Sequence, residues 1–233
     1  MRAVKKLLSA GVAAAALSAA PIAASGADLP TVIPAKAPVV AAVPAYNWSG
    51  LYVGLNGGGG TGESMHTDAN FGVTTEKFHV GGGLVGGTAG YNFTVGRWIW
   101  GIEGDLDWAG IKGQSAAIAV AGGLATYGTS LLELGTVRGR VGYAFDRFLP
   151  YLTGGLAVGD VQGSITAPTL VTSATQLRAG WAAGAGVEYG LSTSLSIKAE
   201  YLYVGLSSTT AVPMDNVGFR SSIIRAGLNW RFD

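Results

Sequence analysis

Three carboxylates at alternate positions, Glu103, Asp105 and Asp107, form the densest acidic group in the chain. Residues of this type can hold a cation or move a proton, and alternation sets all three on one face of an extended strand. Basic residues recur further along in the same one-face spacing: Arg138 and Arg140, then Arg178, then Lys198 beside Glu188 and Glu200, then Arg225 and Arg231. With the two signs nearly balanced, the carboxylates read as counter-charges for the arginines rather than as a catalytic or metal group. Gly81-Gly82-Gly83-Leu84-Val85-Gly86 matches the spacing of a dinucleotide loop. That loop must open a helix after a parallel strand, whereas the residues up to Phe93 continue as strand. Gly57 to Gly60 lacks the Gly-Lys-Ser/Thr ending of a phosphate loop. His66 and His79 are the only histidines, and neither has the neighbours of a metal site or of a Ser/His/Asp arrangement.

The elements that must position these residues follow from composition. The chain has 233 residues, 48% hydrophobic and 12% charged, with 38 glycines and no cysteine. It is too apolar for disorder and too glycine-rich for a helical fold, since each Gly costs about 1 kcal/mol inside a helix. The absence of cysteine excludes disulfides, thiol catalysis and cysteine zinc sites. A formal charge of +1 provides no field to gather nucleic acid.

Arg2, Lys5 and Lys6 precede an apolar run from Leu7 to Ala20, the pattern of a Sec-type signal peptide. The expected signal covers residues 1–26, with cleavage just before Ala27 or Asp28. Pro30, Pro34, Pro38 and Pro44 then recur among Ala and Val, which disfavours helix and central strand, so residues 27–47 read as a Pro/Ala-rich periplasmic leader.

From residue 48 to residue 233 one pattern repeats eight times, an alternating stretch and then a join. The stretches are Trp48 to Gly59, Phe78 to Phe93, Arg97 to Trp108, Leu131 to Phe145, Leu149 to Gly159, Gln176 to Tyr189, Thr193 to Leu206 and Phe219 to Phe232. In the third, Trp98, Trp100, Ile102, Leu106 and Trp108 oppose the three carboxylates. The fifth alternates poorly and its faces stay unassigned. Joins after odd stretches are long, about Gly60 to Lys77, Ala109 to Ser130, Asp160 to Thr175 and Ser207 to Gly218; joins after even stretches are a few residues. Long outside loops and short periplasmic turns are the pattern of outer-membrane barrels.

A soluble barrel shows the same period with its faces exchanged, so the contents of the faces decide. Ten large aromatics, Trp98, Trp100, Trp108, Trp181, Trp230, Tyr91, Tyr143, Tyr189, Tyr201 and Tyr203, share the apolar face, more than a wetted surface carries. Opposed charges can fill an eight-stranded lumen. No stretch after the signal is long and apolar enough for a membrane helix, and only a closed barrel otherwise satisfies every backbone group in hydrocarbon. The expected fold is an all-β, eight-stranded antiparallel transmembrane β-barrel, OmpA/OmpX-like. Its interior charge network would comprise Glu103, Asp105, Asp107, Arg138, Arg140, Arg178, Glu188, Lys198, Glu200, Arg225 and Arg231.

Trp48-Ser49-Gly50-Leu51-Tyr52-Val53-Gly54, Ala89-Gly90-Tyr91-Asn92-Phe93 and Gly135-Thr136-Val137-Arg138-Gly139-Arg140-Val141-Gly142-Tyr143 resemble strands of the small alphaproteobacterial outer-membrane β-barrel proteins. These are immunogenic surface proteins often labelled a porin family. Lys198-Ala199-Glu200-Tyr201-Leu202-Tyr203 and the closing Ile223 to Phe232 carry the same resemblance, as does the mature start Ala27-Asp28-Leu29-Pro30. The end also resembles the C-terminal assembly signal, with Trp230 and Phe232 as its aromatics; Asp233 after Phe232 departs from the commoner terminal Phe. The resemblance implies a non-enzymatic outer-membrane protein that supports envelope integrity and surface interactions. Its implied partners are outer-membrane lipid and lipopolysaccharide, the barrel-assembly machinery, and host or envelope factors met through the long loops. No nucleic acid or cofactor is expected. The alternatives are porin-like passage of small solutes, and capture of haem or a host factor by the loops, with His66 as the local hint.

Overall fold

The computed structural model describes residues 46–68, 73–120, 123–168, 170–206 and 218–232. The expected signal segment, the expected leader up to residue 45, the segments 69–72, 121–122 and 207–217, residue 169 and Asp233 lie outside the described residues. The strands are β1 (Gly50–Met65), β2 (Thr67–Asp68), β3 (Val73–Thr74), β4 (Phe78–Val95), β5 (Trp98–Gln114), β6 (Ile118–Val120), β7 (Gly123–Tyr143), β8 (Phe148–Ala167), β9 (Leu170–Gly190), β10 (Leu195–Leu206) and β11 (Gly218–Arg231).

Eight of them close on themselves in the order β5-β4-β1-β11-β10-β9-β8-β7, with β7 pairing back to β5. Each long strand therefore has two antiparallel neighbours, which leaves no sheet edge inside the ring. The stagger can be followed residue by residue. Tyr52 faces Gly90, Gly90 faces Glu103, Glu103 faces Arg138 and Arg138 faces Gly155. Gly155 then faces Ala182, Ala182 faces Val204, Val204 faces Ser221, and Ser221 returns to β1 at Gly62. One circuit moves ten residues along the strand. A shear of ten over eight strands, at ~3.3 Å per residue and ~4.8 Å between strands, tilts the strands by about 40° and sets a wall radius of about 8 Å. A lumen that narrow is filled by side chains.

Tight turns join the strands at one end. Gly96, at φ +65°, turns β4 into β5, and Asp146, at φ +56°, is the one non-glycine with positive φ among the described residues; Asp tolerates that conformation better than most residues. At the other end the strands run further than their hydrophobic alternation indicates. β7 begins at Gly123 rather than Leu131, and β5 ends at Gln114 rather than Trp108. β8 and β9 stay paired as far as Ala167 with Leu170, so the expected long join from Asp160 to Thr175 is corrected to strand. In these extensions most residues are Gly, Ala, Ser or Thr, and backbone pairing continues without a regular hydrophobic period to reveal it.

Leu51, Val53, Leu55, Tyr91, Phe93, Trp98, Trp100, Ile102, Trp108, Trp181, Ile224 and Trp230 all point out. From Trp98 to Trp108 this apolar belt rises about 25 Å at the tilt above, the height of an outer-membrane hydrophobic band. β8, whose faces alternation left unassigned, has Leu149, Tyr151 and Ala157 buried and Leu152, Leu156 and Val158 exposed. Both of its faces are apolar, so no contrast appears in the sequence.

The lumen is layered rather than uniformly polar. At the turn end Trp48, Ile99 and Leu149 close the mouth. Charged side chains fill the middle. Toward the long-loop end Phe78, Val80, Leu84, Ile111, Leu131, Leu134, Leu202, Val204, Phe219 and Ile223 form an apolar layer inside the barrel. That layer places apolar side chains on the same inward faces that carry the charges.

Candidate functional site

The middle layer is built by parity. Every second residue of a strand points inward, so Glu103, Asp105 and Asp107 of β5 share the lumen with Arg138 and Arg140 of β7, its paired neighbour. Arg138 donates through Nη2 to Glu103 Oε1 at 2.7 Å and to Asp105 Oδ2 at 2.6 Å, and through Nη1 to Glu200 Oε1 at 3.0 Å. Arg225, across the lumen on β11, reaches Asp105 Oδ1 at 2.9 Å, Asp107 Oδ2 at 3.0 Å and Glu200 Oε2 at 2.7 Å. Lys198 Nζ lies 3.1 Å from Glu103 Oε2. Arg140 binds Glu188 at 2.7 Å with its guanidinium 4.3 Å from the centre of the Tyr151 ring. Arg231 Nη2 stands 3.5 Å from Glu188 and stacks over Trp48 at 5.0 Å.

The ion pairs join five carboxylates to five cations, all almost wholly buried. A buried charge without partners would be prohibitive; here each carboxylate faces at least one cation. Arg178, the eleventh residue of the expected network, is buried on β9 opposite Gly159, with Nη2 donating to Gln176 Oε1 at 3.3 Å.

Uncharged partners complete the site and were not singled out from the sequence. The Tyr52 hydroxyl donates to Glu103 Oε2 at 2.8 Å, Thr88 and Thr136 donate to Asp105, and Ser196 donates to Glu188 at 2.6 Å. All have even residue numbers and lie on strands whose even positions face inward, so the alternation already held the signal. Trp48 has the same parity as Tyr52. It is 2% exposed, and its indole N–H donates to the Asp146 carbonyl at 2.8 Å. Asn92 Nδ2 donates to the Trp48 carbonyl and Arg231 Nη1 to the Asn47 carbonyl, so the segment before β1 crosses the turn-end mouth. Burial pushes the Tyr46 phenol up, partly opposed by Arg231. Trp48→Ala should lower stability by about 3 kcal/mol, as for other buried large-to-small aromatic changes, read from the urea midpoint of the folded barrel.

His66 is turned into the barrel, fully buried, with Nε2 2.6 Å from Thr129 Oγ1 and its ring 5.7 Å from that of Phe78. A ligand outside the loops cannot reach it there, which removes the local hint for haem. His79 points outward. Among the described residues no group of three His, Cys, Asp or Glu side chains is placed to hold a metal ion. Trp230 and Phe232 lie on the outer wall, about half exposed, and the Phe232 N–H donates to the Leu51 carbonyl at 2.9 Å.

A closed ring of eight tilted strands, an aromatic and aliphatic belt outside and paired charges within define a transmembrane β-barrel of the outer-membrane class. Residues 10–232 match the family model for the outer membrane protein beta-barrel domain. The chain is 35% identical over 215 residues to a 31 kDa outer-membrane immunogenic protein of Brucella melitensis, covering 84% of this chain and 89% of that one. It is 34% identical over 165 residues to a 22 kDa outer membrane protein of Rhizobium leguminosarum, covering 71% and 67%. Among solved structures, Neisserial surface protein A is similar at 18% identity and a TM-score of 0.40, covering 79% of this chain and 98% of that one. The chain belongs to the outer membrane β-barrel protein family, whose relatives here are outer-membrane proteins of Gram-negative bacteria.

Proposed function

We propose that this barrel is a sealed structural element of the outer membrane whose long-loop end makes surface contacts. The observation that carries the reading is the three-layered lumen: the Trp48 closure, the charge network and the apolar layer lie in series along one narrow axis. A solute crossing it would have to separate buried ion pairs and then pass a predominantly apolar layer. Purified folded protein in planar bilayers should therefore insert without steady conductance steps. Reproducible sub-nanosiemens steps would overturn the seal and favour porin-like passage. No reaction is assigned to the carboxylates, because each is held by at least one cation within a buried ion-pair network.

Residues 1–26 serve as the export signal in this reading and residues 27–47 as the periplasmic leader. Trp230 and Phe232 present aromatic side chains on the closing strand to the barrel-assembly machinery. Phe232→Ala should reduce folded protein in the outer membrane several-fold while leaving the urea midpoint of the fraction that folds nearly unchanged; an unchanged yield would sink this role. The relatives named immunogenic support surface exposure of the long-loop end.

A further inference from the structure

The outer wall is not evenly covered. Near the turn end a groove of about 710 Å³ crosses β7 to β10, with Ala185 and Ala199 as its floor and Tyr143, Leu152, Val187 and Tyr201 as its banks. It exists because Ala185 pairs with Leu152 on one side and Tyr201 on the other, while Ala199 pairs with Val187 and Ala226. Methyl groups thus sit where larger side chains stand around them. Nothing charged faces outward along the groove itself.

Charge appears in the turns beyond the groove's lining. The described residues of the β4–β5, β7–β8 and β9–β10 turns carry two exposed arginines, Arg97 and Arg147, against one acid, Asp146. The Arg97 carbonyl accepts the Ala144 N–H at 2.8 Å, which docks its turn beside the end of β7. Arg147 Nη1 donates to the Leu191 carbonyl at 3.4 Å, so its guanidinium spans the two turns below β8 and β9. Asp146 Oδ1 instead accepts from the Tyr46 N–H at 3.4 Å, on the lumen side.

We propose that this groove holds one acyl chain of an anionic glycerophospholipid from the periplasmic leaflet, with its phosphate at Arg147 and Arg97. The occupant must be apolar for the depth of the belt and negative at its end, and such a lipid has both properties in one molecule. The volume lies within the range of about 300–1,000 Å³ typical of small-molecule sites. A juxtamembrane basic residue contributes about 1 kcal/mol toward an anionic lipid, roughly five-fold in occupancy, so the pair should give a preference of roughly thirty-fold over a zwitterionic lipid.

The test folds the purified chain into nanodiscs of equal phosphatidylglycerol and phosphatidylcholine, transfers it to detergent, and counts retained lipid by native mass spectrometry. One phosphatidylglycerol per barrel is expected. The double change Arg97→Gln with Arg147→Gln should erase the preference between the lipids. Ala185→Phe with Ala199→Phe, at lipid-facing positions that leave the lumen untouched, should abolish retention of both. Equal retention of the two lipids by the unaltered chain, or a preference that survives loss of both arginines, overturns the proposal. A lipid-free dimer would also overturn it, by giving the groove to a second copy. Conductance is not read, so failure here leaves the sealed-barrel reading standing.

Discussion

Arg225→Met is expected to destabilise the barrel by about 3–5 kcal/mol, the usual consequence of removing one partner from a buried ion-pair cluster, as read by urea titration in lipid vesicles. Methionine keeps much of the volume, so the effect isolates charge. Arg225 touches Asp105, Asp107 and Glu200 at once, and its loss leaves those carboxylates with one cation fewer in a lumen shielded from water. Arg220, on the same strand, is exposed on the outer side, and Arg220→Met should move the midpoint by less than about 0.5 kcal/mol. Similar small shifts for both would mean that water reaches the lumen and the network contributes no net stability.

A comparable loss, about 3 kcal/mol at the upper end for overpacking, is expected from one methyl group at Gly155. Its Cβ would land on the Val137 carbonyl oxygen and within 2.7 Å of Arg138 Cα, directly across the β7–β8 pairing. Backbone cannot yield there without opening the register that also positions the Arg138 guanidinium. Gly154, the preceding residue, faces lipid, and a Cβ there meets only the Ala182 carbonyl at 3.7 Å, an ordinary contact. Gly154→Ala should be neutral or stabilise by about 0.4–1 kcal/mol through the unfolded state. Equal tolerance at the two positions would show that the β7 backbone does not approach Gly155 as closely as described.

How far the sequence could be read depended on contrast between strand faces. In β5 the carboxylates alternate with tryptophans and aliphatics, and both the strand and its orientation were legible. In β8 Leu149 and Tyr151 face in while Leu152 and Leu156 face out, and alternation between like and like carries no signal. The extensions of β7 and β9 past residues 131 and 176 were hidden for a related reason: their Gly, Ala, Ser and Thr residues pair through the backbone, which does not depend on side-chain period. His66 showed that position in a join does not fix exposure, since the strand reaches Met65 and the chain then turns back inside.

The order of residues alone determined the class of fold, the number of long strands and which side chains share a face, because a period of two follows from the geometry of an extended chain. Tertiary structure alone decided which charges meet and what closes the lumen. Arg225 meets Asp105 only after eight strands close with a stagger of ten residues, and the apolar layer arises only when inward residues from strands distant in sequence reach the same height. Shear and closure are properties of the whole ring, and no single strand contains them.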